Sequence, residues 1–211
     1  MWYRISHSCT RCFTWTRNRS WRLINTLNTL KTMAEAFSNK FTRAAGIVTT
    51  YSGSSVGIAS TAITVTANTG IGVSDLVDNG NFIAGTRVHS VSGTTIFVDR
   101  ASTNTAAASN QTVRFLGPTT AYTSPAATKS ILIGGTFANN TNNSVNLTLE
   151  TLDASTGITV AIASKIPVPA GSSFVISDTG KTLLEATDEL RIYCDTTSAI
   201  DASLSILTGV S

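Results

Sequence analysis

Charge is scarce in this chain. Asp, Glu, Lys and Arg make up 13% of its 211 residues, against roughly 25% in an average soluble domain. Thr, Ser, Ala, Asn and Gly fill the gap, and these residues suit turns, strand faces and surfaces that neighbours will cover. No apolar run reaches 18 residues, so no segment reads as a membrane-spanning helix. Proline occurs four times, first at Pro118. Beyond residue 32 there is no Trp, one His (His89) and one Cys (Cys194). A hydrolytic triad needs a base with a second group to orient it, and structural zinc needs four ligands; this inventory announces neither.

The first 32 residues differ from the rest. They hold all three tryptophans, Cys9, Cys12 and His7, with six basic groups and no acid. The remaining residues carry nine basic and twelve acidic groups, a net charge of −3. A nucleic-acid partner would rest on that short segment alone, and none is expected. The segment lacks the apolar stretch and small-residue cleavage site of a secretory signal. Cys9-Thr-Arg-Cys12 has the spacing of a redox or zinc pair, but no second pair completes it. Residues 1–32 are therefore expected to be upstream or disordered sequence, with Met33 the biological start.

From Met33 the pattern is that of short strands. Residues 33–50 read as an N-terminal arm, either a weak helical turn or extended, leading into a first strand at Ile47-Val-Thr-Thr-Tyr51. Phe37 and Phe41 lie four apart, so a helical turn would place them on one side, with Lys40 and Arg43 flanking it. These four residues form the expected partner-binding segment. The arm precedes the first strand, so its removal is expected to leave the fold intact.

Residues 51–117 read as a small β module. Ile63 and Val65 alternate with threonines, Ser92-Gly93 makes a tight turn, and Gln111–Phe115 supplies the last strand. Gly117-Pro118 marks the boundary, because Pro cannot donate to a sheet ladder. Residues 118–211 give about seven longer strands, the count of a jelly-roll or immunoglobulin-like sandwich. Val145, Leu147 and Leu149 alternate with Asn146, Thr148 and Glu150, which predicts one buried and one wet face. Ile158, Val160 and Ile162 predict the same. Two prolines, Pro167 and Pro169, place Ile166–Gly171 at an edge or connection. The fold class is all-β.

No motif carries catalysis. His89 reads as an ordinary strand-face residue, and the acids near turns and strand ends read as solvated rather than as a glycosidase pair. Asp75-x-x-Asp78-Asn79-Gly80 has calcium-type oxygens without the alternating spacing of a calcium loop, and reads as a turn. Gly134-Gly135 has no following helix to make a phosphate site. Cys194 sits on an apolar strand and reads as core. No catalytic residue, cofactor, metal or small-molecule ligand is expected.

Two stretches carry a resemblance. Gly70-Ile-Gly-Val with Phe82-Ile-Ala-Gly-Thr-Arg-Val-His-Ser-Val-Ser-Gly-Thr-Thr-Ile-Phe-Val resembles a β module of phage structural and bacterial surface proteins. Lys165-Ile-Pro-Val-Pro-Ala-Gly-Ser-Ser-Phe, followed by Leu184-Glu-Ala-Thr-Asp-Glu-Leu-Arg-Ile, is similar to the end of small virion proteins of marine and cyanobacterial tailed phages. The resemblance implies a non-enzymatic capsid decoration, neck or tail-fibre component, assembled in the host cytoplasm. Its partners would be copies of itself, with a trimer expected, and other virion proteins. The alternative is a carbohydrate- or receptor-binding sandwich of a tail fibre or bacterial surface protein, which predicts exposed aromatics near the loops at one end.

Overall fold

The structure, a computed structural model, describes residues 35–177 and 181–210; the Cys9–Cys12 pair and the Met33 start lie outside them. Glu35–Ser211 forms one compact unit. Its strands are β1 (Ala36–Ala45), β2 (Ile47–Val56), β3 (Ala62–Thr64), β4 (Leu76–Asp78), β5 (Val88–Ser92), β6 (Thr95–Val98), β7 (Ala108–Gly117) and β8 (Thr119–Thr123). They continue with β9 (Lys129–Asn139), β10 (Val145–Asp153), β11 (Ile158–Val168), β12 (Ser173–Ile176), β13 (Thr182–Leu184), β14 (Glu189–Cys194) and β15 (Ile200–Val210). The all-β expectation holds.

Strands β1 and β8–β15 make a two-sheet sandwich. One sheet runs β1-β15-β9-β12, with β13 also on β9, and the other runs β11-β10-β14-β8. Strands β12 and β13 pair with successive stretches of β9, residues 135–138 and 130–132, so they act as one interrupted strand. Counted that way, the sandwich has eight strands. The first pairs the eighth (β1–β15), the second the seventh (β8–β14), the third the sixth (β9–β12/β13) and the fourth the fifth (β10–β11). That is one long antiparallel ribbon rolled over on itself, the jelly-roll arrangement. Leu132, Phe137, Leu147, Leu149, Ile192 and Leu204, all fully buried, fill the space between the sheets.

Strands β2–β7 form a six-stranded sheet in the order β4-β7-β2-β3-β6-β5. A bridge between Leu76 and Arg87 joins its two ends and closes it into a small barrel, packed around Ile63, Ile96, Val113 and Phe115. This barrel is an insertion between the first two jelly-roll strands, entered through Gly46 and left through Pro118. The two modules are therefore not consecutive along the chain: β1 lies before the barrel in sequence and within the sandwich in space.

Three sequence expectations change. Residues 36–45 take the extended of the two alternatives, but as a sheet strand rather than a free arm: β1 pairs with β15 from Ala36↔Thr208 to Thr42↔Ala202 without interruption. The first strand thus begins eleven residues earlier than Ile47, and deleting residues 33–43 would strip a sheet edge rather than a free arm. Thr148 and Glu150 are buried, not wet, because the barrel covers that face. Ile158, Val160 and Ile162 are exposed. Val160 and Ile158 pair with Thr151 and Asp153, beyond the last core residue of β10, Leu149, where the β10–β11 hairpin leaves the sandwich. The proline-bearing end of β11 lies on a strand paired only with β10, an edge as expected.

Candidate docking face

The jelly roll has two outer faces. The barrel covers that of β10 and β14. There Arg87 forms an ion pair with Glu150, whose side chain is only 3% exposed. The Arg87 guanidinium also donates to the Tyr193 hydroxyl at 3.2 Å and lies 5.7 Å from that ring's centroid. Leu76 and Leu116 of the barrel pack with Tyr193 in a small apolar cluster. Arg114 donates to the Asp195 carbonyl at 3.1 Å, while Asp78 pairs with both Arg114 and Lys165. Burial works against the Arg87 charge, yet the hydrogen bond and charge of Glu150 outweigh it and raise the guanidinium pKa further. Burial, reinforced by the Glu150 charge, raises that of Tyr193. These charges fasten one module to the other.

The opposite face, on β1, β15, β9 and β12/β13, has no such cover among the described residues. Directly paired residues in an antiparallel sheet share a face, so the register lays the side chains out in rows. Phe37, Leu207, Ile131 and Leu183 form one row, apolar from end to end. Phe41, Ser203, Thr136 and Val175 form a second. Asn39, Ser205 and Gly134 lie between them, and the Ser205 hydroxyl donates to Asn39 Oδ1 at 3.4 Å. None of these residues is charged. Phe37 and Phe41 are 77% and 75% exposed, the most exposed large apolar side chains among the described residues. A shallow groove of about 280 Å³ beside Phe41 is lined by Thr136, Ala138 and Ser203, with Arg43 and Asp201 at its end.

Of the four residues expected to bind a partner, the structure puts Phe37 and Phe41 on one face, as expected, by strand alternation rather than by a helical turn. Lys40 and Arg43 are exposed, but Lys40 does not flank the ring pair. A period of two sends it to the other side of β1 from Phe41. The rest of the face escaped the sequence reading, since Ile131, Val175, Leu183 and Leu207 are brought together only by long-range pairing.

The remaining chemical candidates have structural positions. His89 is exposed on β5. Asp75 accepts from the Gly72 amide at 2.8 Å, and burial raises its pKa despite that bond. Asp78 faces Arg114 and Lys165 instead, and Asn79 Oδ1 caps the Asn81 amide in a turn. Cys194 is fully buried, and burial pushes its thiol pKa up. Among the described residues, no group of three or more His, Cys, Asp or Glu side chains is placed to hold a metal. No family model matches the chain, and no curated protein or solved structure matches it either.

Acid should loosen this arrangement. Burial opposes the Asp78 carboxylate, but the hydrogen bond from Lys165 and the charges of Arg114 and Lys165 win and hold its pKa below the usual 3.8. Hydrogen bonds from Ser155 and Thr156 hold exposed Asp153, at the tip of the β10–β11 hairpin, at about 2. Groups lowered in the folded state stabilise it above their ordinary pKa and lose that effect as pH falls through the folded value. Asp75, raised by burial, has the opposite sign, and its gain comes as pH falls toward 3.8, before that loss. Urea midpoints should therefore fall from pH 4 to pH 2, and Asp78→Asn should flatten that fall while lowering the midpoint at neutral pH. An unchanged acid limb in the variant would remove Asp78 from the account.

Proposed function

We propose that this chain is a non-enzymatic virion structural protein, a capsid decoration, neck or tail-fibre component that works by docking the uncharged rows of one sheet face against protein. The observation that carries the reading is the pair of rows around Phe37 and Phe41. Large exposed apolar patches mark interaction sites, since a soluble monomer rarely leaves them bare. Covering uncharged Ser, Thr and Asn among them avoids the cost of stranding a charge. The jelly roll supports the setting, because such folds build viral capsid domains as well as lectins. The sequence resemblance to tailed-phage virion proteins favours the former. The exposed aromatics are mid-sheet phenylalanines rather than Tyr or Trp at a loop end, so they lack the polar tip that a sugar would engage.

The double variant Phe37→Ser/Phe41→Ser tests this. Both rings are already in solvent, so stability should stay within about 0.5 kcal/mol of the parent. Incorporation into particles, read by gel densitometry of purified virions, should drop at least tenfold. Normal occupancy of the double variant would overturn the docking reading.

A further inference from the structure

Strand β1 ends its sheet: it pairs with β15 on one side and with no described strand on the other. Natural edge strands are commonly guarded by proline, bulges or inward charges. The stretch Ala36–Thr42 has no proline and no bulge, and Lys40, on the side away from the rings, is its one charge and its one guard. The other sheet shows the contrast, since its outer strand β11 carries Lys165, Pro167 and two register shifts. The more weakly guarded edge is also the one that carries the two most exposed rings.

The spacing of those rings has a symmetry. Phe37 and Phe41 lie two residues either side of Asn39. In antiparallel pairing of two identical strands centred on Asn39, Phe37 of each copy faces Phe41 of the other. Asn39 faces Asn39, and Lys40 faces Ser38, so no like charges meet. Aromatic cross-strand pairs are among the favourable ones in antiparallel sheets. A centre displaced by half a residue toward Ser38 would set Phe37 against Lys40, and one displaced toward Lys40 would set Phe41 against Ser38; either loses both ring pairs.

Resting on the docking reading of this face, we propose that β1 pairs with β1 of a second copy about a two-fold axis through Asn39, joining the two outer sheets into one. A two-fold contact is isologous, with the same patch on both subunits, and this patch is complementary to itself. The apolar row of one copy then runs through Phe37 into the second row of its partner, joining the uncharged rows of both copies into one strip twice as wide for a further protein to cover. A closed threefold ring cannot set one edge strand antiparallel to its own copy, so the expected unit is a dimer rather than a trimer.

Cysteine pairing reads the register directly. In a Cys9→Ser/Cys12→Ser background, Asn39→Cys places two thiols directly opposite each other. Opposed Cα atoms in antiparallel sheets are about 4.5–5.5 Å apart, within disulfide reach. Lys40→Cys places its thiols on a diagonal beyond about 7 Å, where bridging fails. Mild oxidation should convert most of the Asn39→Cys protein to a covalent dimer and leave Lys40→Cys largely monomeric. Light scattering of the unmodified protein should give twice the monomer mass at about 100 μM, and Asn39→Lys, which opposes two like charges at the axis, should return it to monomer. A monomer or trimer at that concentration, or equal cross-linking of the two cysteine variants, would overturn the two-fold pairing. If those results came with a Phe37→Ser/Phe41→Ser variant that still fails to enter particles, the docking reading would survive without the self-pairing.

Discussion

Replacing Arg87 with Met is expected to lower the unfolding free energy by about 3–5 kcal/mol, the range for breaking a buried pair from one side. Glu150 is held in a nearly closed space between barrel and sandwich, with a side chain 3% exposed. Its Oε2 already lacks a hydrogen-bond partner, so Arg87 is the main compensation for its charge. Removing the guanidinium also takes a donor from the Tyr193 hydroxyl, which would keep only a 3.4 Å bond to the Ser74 carbonyl. For a unit of this size each kcal/mol moves Tm by roughly 2–4 °C, so a fall on the order of 10 °C is expected. The double variant Arg87→Met/Glu150→Leu should recover most of the loss, because a desolvated pair replaced by apolar groups is often neutral or stabilising. The double-mutant cycle measures the coupling. A single variant within about 1 kcal/mol of the parent would mean that water reaches Glu150, and that the small apolar cluster around Tyr193 holds the modules together without the charges.

Strand existence was legible in the sequence where alternation is local. The run Val145–Leu149 sits in the sandwich with Val145, Leu147 and Leu149 turned to the core, as its alternation predicts. The jelly-roll option was legible from strand count, but the first-with-eighth pairing was not, because nothing in Ala36–Ala45 encodes that its partner lies about 165 residues later. That single pairing converts an apparent arm into a sheet edge and turns the first module into an insertion. Glu150 shows the same limit on the scale of one side chain. Alternation separates the two faces of a strand correctly and cannot tell which faces meet water once a second module folds down on one of them. Phe37 and Phe41 could be singled out because two rings in a charge-poor strand are conspicuous under either a helical or an extended reading. Their neighbours on β9, β12 and β13 carried no local signal.

Gly46→Ala is expected to be the most damaging single substitution, at about 4–5 kcal/mol, a size reached only by a few mechanisms. Gly46 is the one residue between β1 and β2, where the chain leaves the sandwich for the barrel. Its φ is +121°, and an added Cβ would lie 2.3 Å from the Thr196 carbonyl oxygen and 3.2 Å from Cys194 Cβ. The neighbouring backbone is pinned: the Gly46 carbonyl accepts from the Ser198 amide at 2.9 Å and the Ala45 carbonyl from the Ala199 amide at 3.0 Å. The Gly46 amide donates to the Thr119 hydroxyl at 3.2 Å, which ties the chain's exit into the barrel to its return. Relief of the clash must therefore shift the loop after β14 or swing the barrel away from β10, and the second route breaks the Arg87–Glu150 pair. Gly93→Ala supplies the comparison. Gly93 also has positive φ, +56°, but nothing lies within 4 Å of its added Cβ, so it should cost only about 1–2 kcal/mol for the backbone conformation. The excess of Gly46→Ala over Gly93→Ala, from urea unfolding, isolates the close approach at the junction. Equal costs would show that the junction yields freely, and that the barrel is hung on the sandwich far more loosely than its contacts with Tyr193 and Glu150 require.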